Sequence, residues 1–187
     1  MGIVSNAVLQ NGGEVIGIIP YAMYAAGGER EKSPNHQVTT APGNSDPGKM
    51  KTIIVDSMHE RKVKMANLSS GFIGLPGGFG TYEEVFEVTT WSQLKIHNKP
   101  VVLLNVLSFF DPLRQLVENG ISEGYINPAN RNLIIFVDGP SQDEHETFDW
   151  GTAALDAIKQ WKADNTEALF NWKLRKDGTS TGTLKST

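Results

Sequence analysis

Gly71-Phe72-Ile73-Gly74-Leu75-Pro76-Gly77-Gly78-Phe79-Gly80-Thr81-Tyr82-Glu83-Glu84 reads as three pieces in succession. Phe72 to Leu75 is a short apolar run and reads as a buried strand. Pro76 to Gly80 cannot continue it, because proline lacks the ladder N–H and glycine weakens a strand interior. Thr81 then opens a long helical pattern. Strand, glycine turn and helix N-terminus in that order make a phosphate cradle. Backbone N–H groups point outward, and the missing side chains let an anion come close. Glu83 and Glu84 are the odd feature. An anion site has little use for two acids beside it unless one of them does chemistry.

Working outward, four more short apolar runs read as strands: Val15 to Ile19, Thr52 to Val55, Val101 to Leu104 and Ile134 to Val137. Helical patterns lie between and around them. Met1 to Gln10 carries one apolar stripe and stops at Asn11-Gly12-Gly13. Asp56 or Ser57 caps a helix with Glu60 placed for a capping box. On it Met58, Met65 and Leu68 share a face, which predicts core methionines and Arg61 snorkelling from the edge. The helix after Thr81 runs to about Ile96, with a stripe wide enough for a sheet on one side and a partner helix on the other. Another starts near Ser108 and stops at Asn119-Gly120. The last spans about Asp149 to Trp172. Buried strands alternating with helices predict an α/β fold, a three-layer parallel sheet with helices on both faces. Ligands of such sheets bind beyond the carboxyl ends of the strands. The turn 76–80 and the residues after Val55 both fall there, so Arg61 and Glu84 are expected to face one crevice.

The chain has 187 residues, 39% hydrophobic and 20% charged, ordinary values for one globular domain with its own core. A net charge of −4 gives no electrostatic reason to expect nucleic acid. No cysteine is present, so disulfides and thiolate metal sites are excluded and a reducing cytoplasm is the expected compartment. No apolar run approaches a membrane span, and no cluster of His and acids has metal-ligand spacing. No cofactor is expected. The expected domain is 1–172, with a Gly- and Pro-rich loop insert at 27–50 and a disordered tail at 173–187.

Three stretches together resemble the LONELY GUY (LOG) family, once labelled lysine decarboxylase-like. They are Ser57-Met58-His59-Glu60-Arg61-Lys62, Pro76 to Glu84, and Trp91-Ser92-Gln93-Leu94 with Asn98-Lys99-Pro100. The family is marked by PGGxGTxxE, and Pro76 to Glu84 matches every fixed position. The resemblance runs from Met1 to about Asp138. It implies a Rossmann-like fold, usually dimeric, that hydrolyses the N-glycosidic bond of nucleoside 5′-monophosphates, preferring cytokinin riboside 5′-monophosphates. It also implies catalytic roles for Arg61 and Glu84. Pro76, Gly77, Gly78, Phe79, Gly80 and Thr81 would hold the phosphate, with Met58 carried along beside Arg61 as a substrate contact.

The chemistry suits these residues independently. Breaking a glycosidic bond builds positive charge on the sugar, which a carboxylate such as Glu84 can stabilise while activating water. An arginine is a fixed cation, so Arg61 suits orienting phosphate, ribose or Glu84 better than donating a proton. Glu83 turns about 100° from Glu84 on a helix and either binds ribose or serves the helix dipole, where acids are favoured anyway. Lys62 is a solvated helix residue or a phosphate contact. His59 reads as a surface or capping residue. Pyridoxal chemistry would need a Schiff-base lysine with a partner for the ring nitrogen, and Lys62 and Lys64 read as exposed helix positions.

Family members open with a strand ending in a Cys-Gly-Ser-Ser-like turn, a helix, and a strand ending in a glycine triplet. Met1-Gly2 matches the Met-Gly that follows. The expectation is therefore an N-terminally truncated Rossmann-like fold that lacks a β-α-β unit of at least about thirty residues. An acidic segment that follows Ile19-Pro20 in the family has Glu29 or Glu31 as its candidates here. The second hypothesis is a non-catalytic nucleotide-binding or scaffold protein.

Overall fold

The structure, a computed structural model, describes residues 2–26, 49–162, 170–172, 174 and 176–179. The element order is α1 (Gly2–Gln10), β1 (Val15–Pro20), α2 (Tyr21–Ala25), β2 (Met50–Val55), α3 (Met58–Leu68), β3 (Phe72–Gly74), α4 (Phe79–Gln93), β4 (Val101–Leu104), α5 (Asp111–Ser122), β5 (Ile135–Val137) and α6 (Trp150–Gln160). Short 3-10 turns lie at Val106–Ser108, Pro128–Leu133 and Gln142–Glu144. All five expected strands are present, and every pairing among the described residues is parallel. The fold is α/β and Rossmann-like, with parallel strands flanked by helices.

The strands form two sheets, β1-β2 and β3-β4-β5, instead of one five-stranded sheet. The chain divides correspondingly into two compact units, with the boundary after Leu68. The expected insert at 27–50 falls mostly outside the described residues, as do Glu29, Glu31 and most of the tail.

In the first unit β1 pairs with β2 from Val15↔Met50 to Pro20↔Val55. Helix α3 packs on this pair and buries Arg61, Val63 and Ala66. The expectation from spacing is thus inverted. Met58 is 47% exposed and Arg61 only 8%. The reason is tertiary: Arg61 Nε donates to the Ile18 carbonyl at 3.2 Å, which draws the guanidinium beneath the helix.

In the second unit β4 is central and buried at all four residues. Leu103 packs on one face with Val85, Phe110 and Ile134. Val102 and Leu104 pack on the other with Ala154, Ala157 and Ile158 of α6. This is the expected three-layer arrangement, with α4 and α5 opposite α6. Gly74 is required by it, because a Cβ there would collide with Leu103 Cδ2.

Helix ends depart from the periodicity. α4 starts at Phe79, two residues early, and stops at Gln93 instead of Ile96. Lys95 adopts φ 59°, while Ile96 N–H bonds the Trp91 carbonyl at 2.8 Å and Lys95 N–H the Ser92 carbonyl at 3.0 Å. That is a Schellman stop with lysine where glycine is usual. α5 runs through Asn119-Gly120 to Ser122, since Gly120 gives the room against Ile126 that a Cβ would fill. α6 ends at Gln160, where Trp161 turns extended (φ −60°, ψ 134°), not at Trp172.

Candidate active site

The glycine turn joins the carboxyl end of β3 to α4. Gly78 is the N-cap in an extended conformation, with no side chain capping the helix. Tyr82 N–H makes the first backbone bond, to the Gly78 carbonyl at 3.1 Å. The N–H groups of a first turn have no partner within their helix, and those of Phe79, Gly80 and Thr81 occupy that position. The glycines serve two purposes. A Cβ on Gly77 would strike Thr81 Oγ1, so this glycine lets the turn fold onto Thr81. A Cβ on Gly78 or Gly80 would meet nothing within 4 Å, so these two leave open space at the helix end. Phe79 between them is 91% exposed, its ring edge-on to Tyr82 at 6.3 Å.

Because α4 starts at Phe79, Glu83 and Glu84 lie in its second turn. The preference of acids for a first turn therefore does not account for them. Glu84 is half-buried, one residue before the core residue Val85, whereas Glu83 is exposed. The structure thus gathers Pro76, Gly77, Gly78, Phe79, Gly80, Thr81, Glu83 and Glu84 on one turn and the helix it starts.

The other candidates lie on α3, in the first unit. Ser57 Oγ accepts from Glu60 N–H at 3.0 Å, and Glu60 Oε2 accepts from Asp56 N–H at 2.8 Å. This reciprocal cap sets where α3 begins, at the carboxyl end of β2. One turn on, Arg61 is buried against β1. Met58 and His59 are exposed and Lys62 is half-buried.

Beyond β4 the structure holds a polar cluster that the sequence did not single out. Asn105, 3% exposed, donates from Nδ2 to Asp111 Oδ1 and to Asp138 Oδ1, both at 2.7 Å, and accepts Phe110 N–H at 2.7 Å. Arg114 forks onto both Asp138 oxygens at 2.6 and 2.8 Å and lies over the Phe136 ring at 4.7 Å. Burial alone would raise the Asp138 carboxyl, but hydrogen bonds from Arg114 and Asn105 hold it below the usual carboxylate range. The available signal was an asparagine directly after a four-residue apolar strand, at the end where parallel sheets bind ligands.

His97, just past α4, is 7% exposed and stacks near Phe72 at 5.3 Å. Its Nδ1 accepts Lys99 N–H at 3.3 Å, while Nε2 has no hydrogen-bond partner of good geometry. Burial pushes its pKa down to about 4, helped by the Lys99 charge and opposed by the nearby Val88 backbone. This histidine is a neutral part of the packing.

A parallel α/β sheet thus runs through a glycine turn into an uncapped helix start with a half-buried carboxylate one turn in, an arrangement with room and N–H groups for an anion. The comparisons narrow the class. The model of a family described as "Possible lysine decarboxylase" matches residues 1–144. The chain is 42% identical over 135 residues to the cytokinin riboside 5′-monophosphate phosphoribohydrolase of Rhodococcoides fascians, covering 72% of this chain and 61% of that protein. It is 44% identical over 135 residues to the rice (Oryza sativa subsp. japonica) cytokinin riboside 5′-monophosphate phosphoribohydrolase LOG, covering 72% and 49%. It is 39% identical over 170 residues to LOG2 of Arabidopsis thaliana, covering 91% and 72%. The chain spans about half to three-fifths of the length of most of these relatives. The chain belongs to this LOG, or lysine decarboxylase-like, family.

Proposed function

We propose that the protein hydrolyses the N-glycosidic bond of nucleoside 5′-monophosphates, with cytokinin riboside 5′-monophosphates as preferred substrates. The observation that carries the reading is the run Pro76 to Glu84, folded as strand end, open glycine turn and helix start with Glu84 half-buried. The 5′-phosphate sits on the first-turn N–H groups of α4, with Thr81 and the glycine turn around it. Water adds to C1′ of the ribose as the C1′–N bond of the base breaks, and the base leaves with a proton. Glu84 takes the proton from water, stabilises the positive charge that develops on the sugar, and returns to its carboxylate form as that proton passes to the departing base. Arg61 orients phosphate or ribose, with Met58 and Lys62 beside it on α3 as substrate contacts, and Glu83 holds a ribose hydroxyl. The activity that the relatives are named for supports the same reading.

No described helix is long and apolar enough to cross a membrane. As part of the same proposal, the protein works in the cytoplasm as a homodimer, with exposed Phe86 on α4 as part of the apolar surface a second copy would cover. The test is liberation of free base and ribose 5-phosphate from N6-isopentenyladenosine 5′-monophosphate and from AMP, followed by chromatography. Release that Glu84→Gln suppresses supports the reading. No release of base from either nucleotide overturns it.

A further inference from the structure

The carboxyl ends of β3, β4 and β5 lie side by side in one compact unit. The register pairs Gly74 with Leu103 and Leu104 with Val137. The strand that leads into the glycine turn and the strand that leads into the loop after Leu104 are thus hydrogen-bonded neighbours running the same way, so both loops leave the same edge of one sheet.

The loop after Leu104 has an uncommon backbone. Leu107 (φ 53°, ψ 33°) and Ser108 (φ 59°) are consecutive left-handed residues, and neither is glycine. Such conformations persist only where the surroundings over-determine them, and they gather at ligand sites. The surroundings here are specific. His145, 7% exposed, accepts Leu107 N–H on Nδ1 at 2.9 Å, and its Nε2 faces the Pro140 carbonyl at 3.0 Å. Trp150 Nε1 donates to the His145 carbonyl at 3.0 Å. Asn105 holds the far end of the loop through Phe110 N–H. Phe110 is thereby sunk in the core at 1% exposure, while Leu107 and Phe109 stay at the surface at 60% and 41%. A buried histidine thus holds the backbone of a surface leucine on a left-handed loop that follows the strand paired with β3.

We propose that Leu107 is a specificity residue on the base side of the nucleotide site, packing against an apolar substituent on the purine, and that His145 is a positioning residue that holds Leu107 there. This rests on the reading that the turn 76–80 takes the nucleotide phosphate. Phosphate and ribose have no use for an exposed leucine, whereas an isoprenoid chain does.

The test compares kcat/KM for N6-isopentenyladenosine 5′-monophosphate and for AMP. Asparagine tolerates the left-handed conformation, so Leu107→Asn keeps the loop and removes its apolar body. Its kcat/KM for the isopentenyl substrate should fall about tenfold more than that for AMP, the scale of a lost apolar contact. His145→Ala should erode the same preference through KM, and His145→Gln, whose amide oxygen can accept Leu107 N–H, should restore most of it. Equal loss on both substrates, or an unchanged preference, overturns the proposal. If the wild-type chain releases no base, the hydrolase reading fails separately, and calorimetric titration with the same two nucleotides decides this one. Tighter binding of the isopentenyl nucleotide, abolished in Leu107→Asn, supports it. Equal affinities or no binding overturn it.

Discussion

Arg61 on α3 gives its Nε–H to the carbonyl of Ile18 on β1 at 3.2 Å, and the residue is only 8% exposed. The arginine proposed to orient the substrate is thus also a structural tie. Lysine keeps the charge but not the planar fork that makes this bond. Arg61→Lys should lower stability by about 1.5–3 kcal/mol, the worth of a hydrogen bond from a charged group. Thermal melting would show this as a drop of several degrees. If the arginine also orients substrate, kcat/KM for base release should fall by roughly 10²-fold at a temperature where the variant is fully folded. A destabilised variant with unchanged kcat/KM would leave Arg61 with the structural role alone.

The glycines of the turn should separate by function. Gly77→Ala forces a clash with Thr81, so it should lower stability by about 1–3 kcal/mol. Gly78→Ala meets open space and should melt close to the wild type. In the proposed site, however, its new methyl group stands where phosphate approaches, and KM for AMP should rise about tenfold or more. Paired melting curves and Michaelis plots check both. A Gly78→Ala protein with wild-type KM would move the phosphate elsewhere.

His97 makes a pH prediction. Burial lowers its pKa from 6.5 to about 4, so the unfolded chain binds its proton at a higher pH than the folded one. Its contribution is complete above pH 6.5 and is lost as pH falls towards 4, about 2 kcal/mol after discounting for solvent screening. Urea unfolding at pH 7.5, 6 and 4.5 should show wild type losing more stability than His97→Gln across that window. Parallel curves for the two proteins would mean that the ring is protonated in the fold at no cost.

The parts of the molecule written in local sequence were legible. Short apolar runs marked all five strands, and Pro76 to Glu84 carried the turn because its chemistry is confined to nine neighbouring residues. The capping of α3 by Ser57 and Glu60 was legible for the same reason. What escaped depends on contacts across the chain. Spacing put Met58 inward and Arg61 at the rim, but the partner that buries Arg61 is Ile18, 43 residues away. The lock on Leu107 comes from His145, 38 residues later in an acidic loop with no apolar signal. Helix ends shifted where a single φ decided them, as at Lys95, and propensity cannot foresee a lysine in the left-handed region.

In the proposed reaction Glu84 does its chemistry at a ribosyl carbon. The most direct measurement is the rate of base release from N6-isopentenyladenosine 5′-monophosphate by wild type and by Glu84→Gln, with the fold checked by melting. The amide keeps the shape of the side chain and loses the base. A fall of roughly 10²–10⁴-fold in kcat is expected, read at a temperature where both proteins are fully folded. Equal rates in the two proteins would contradict it.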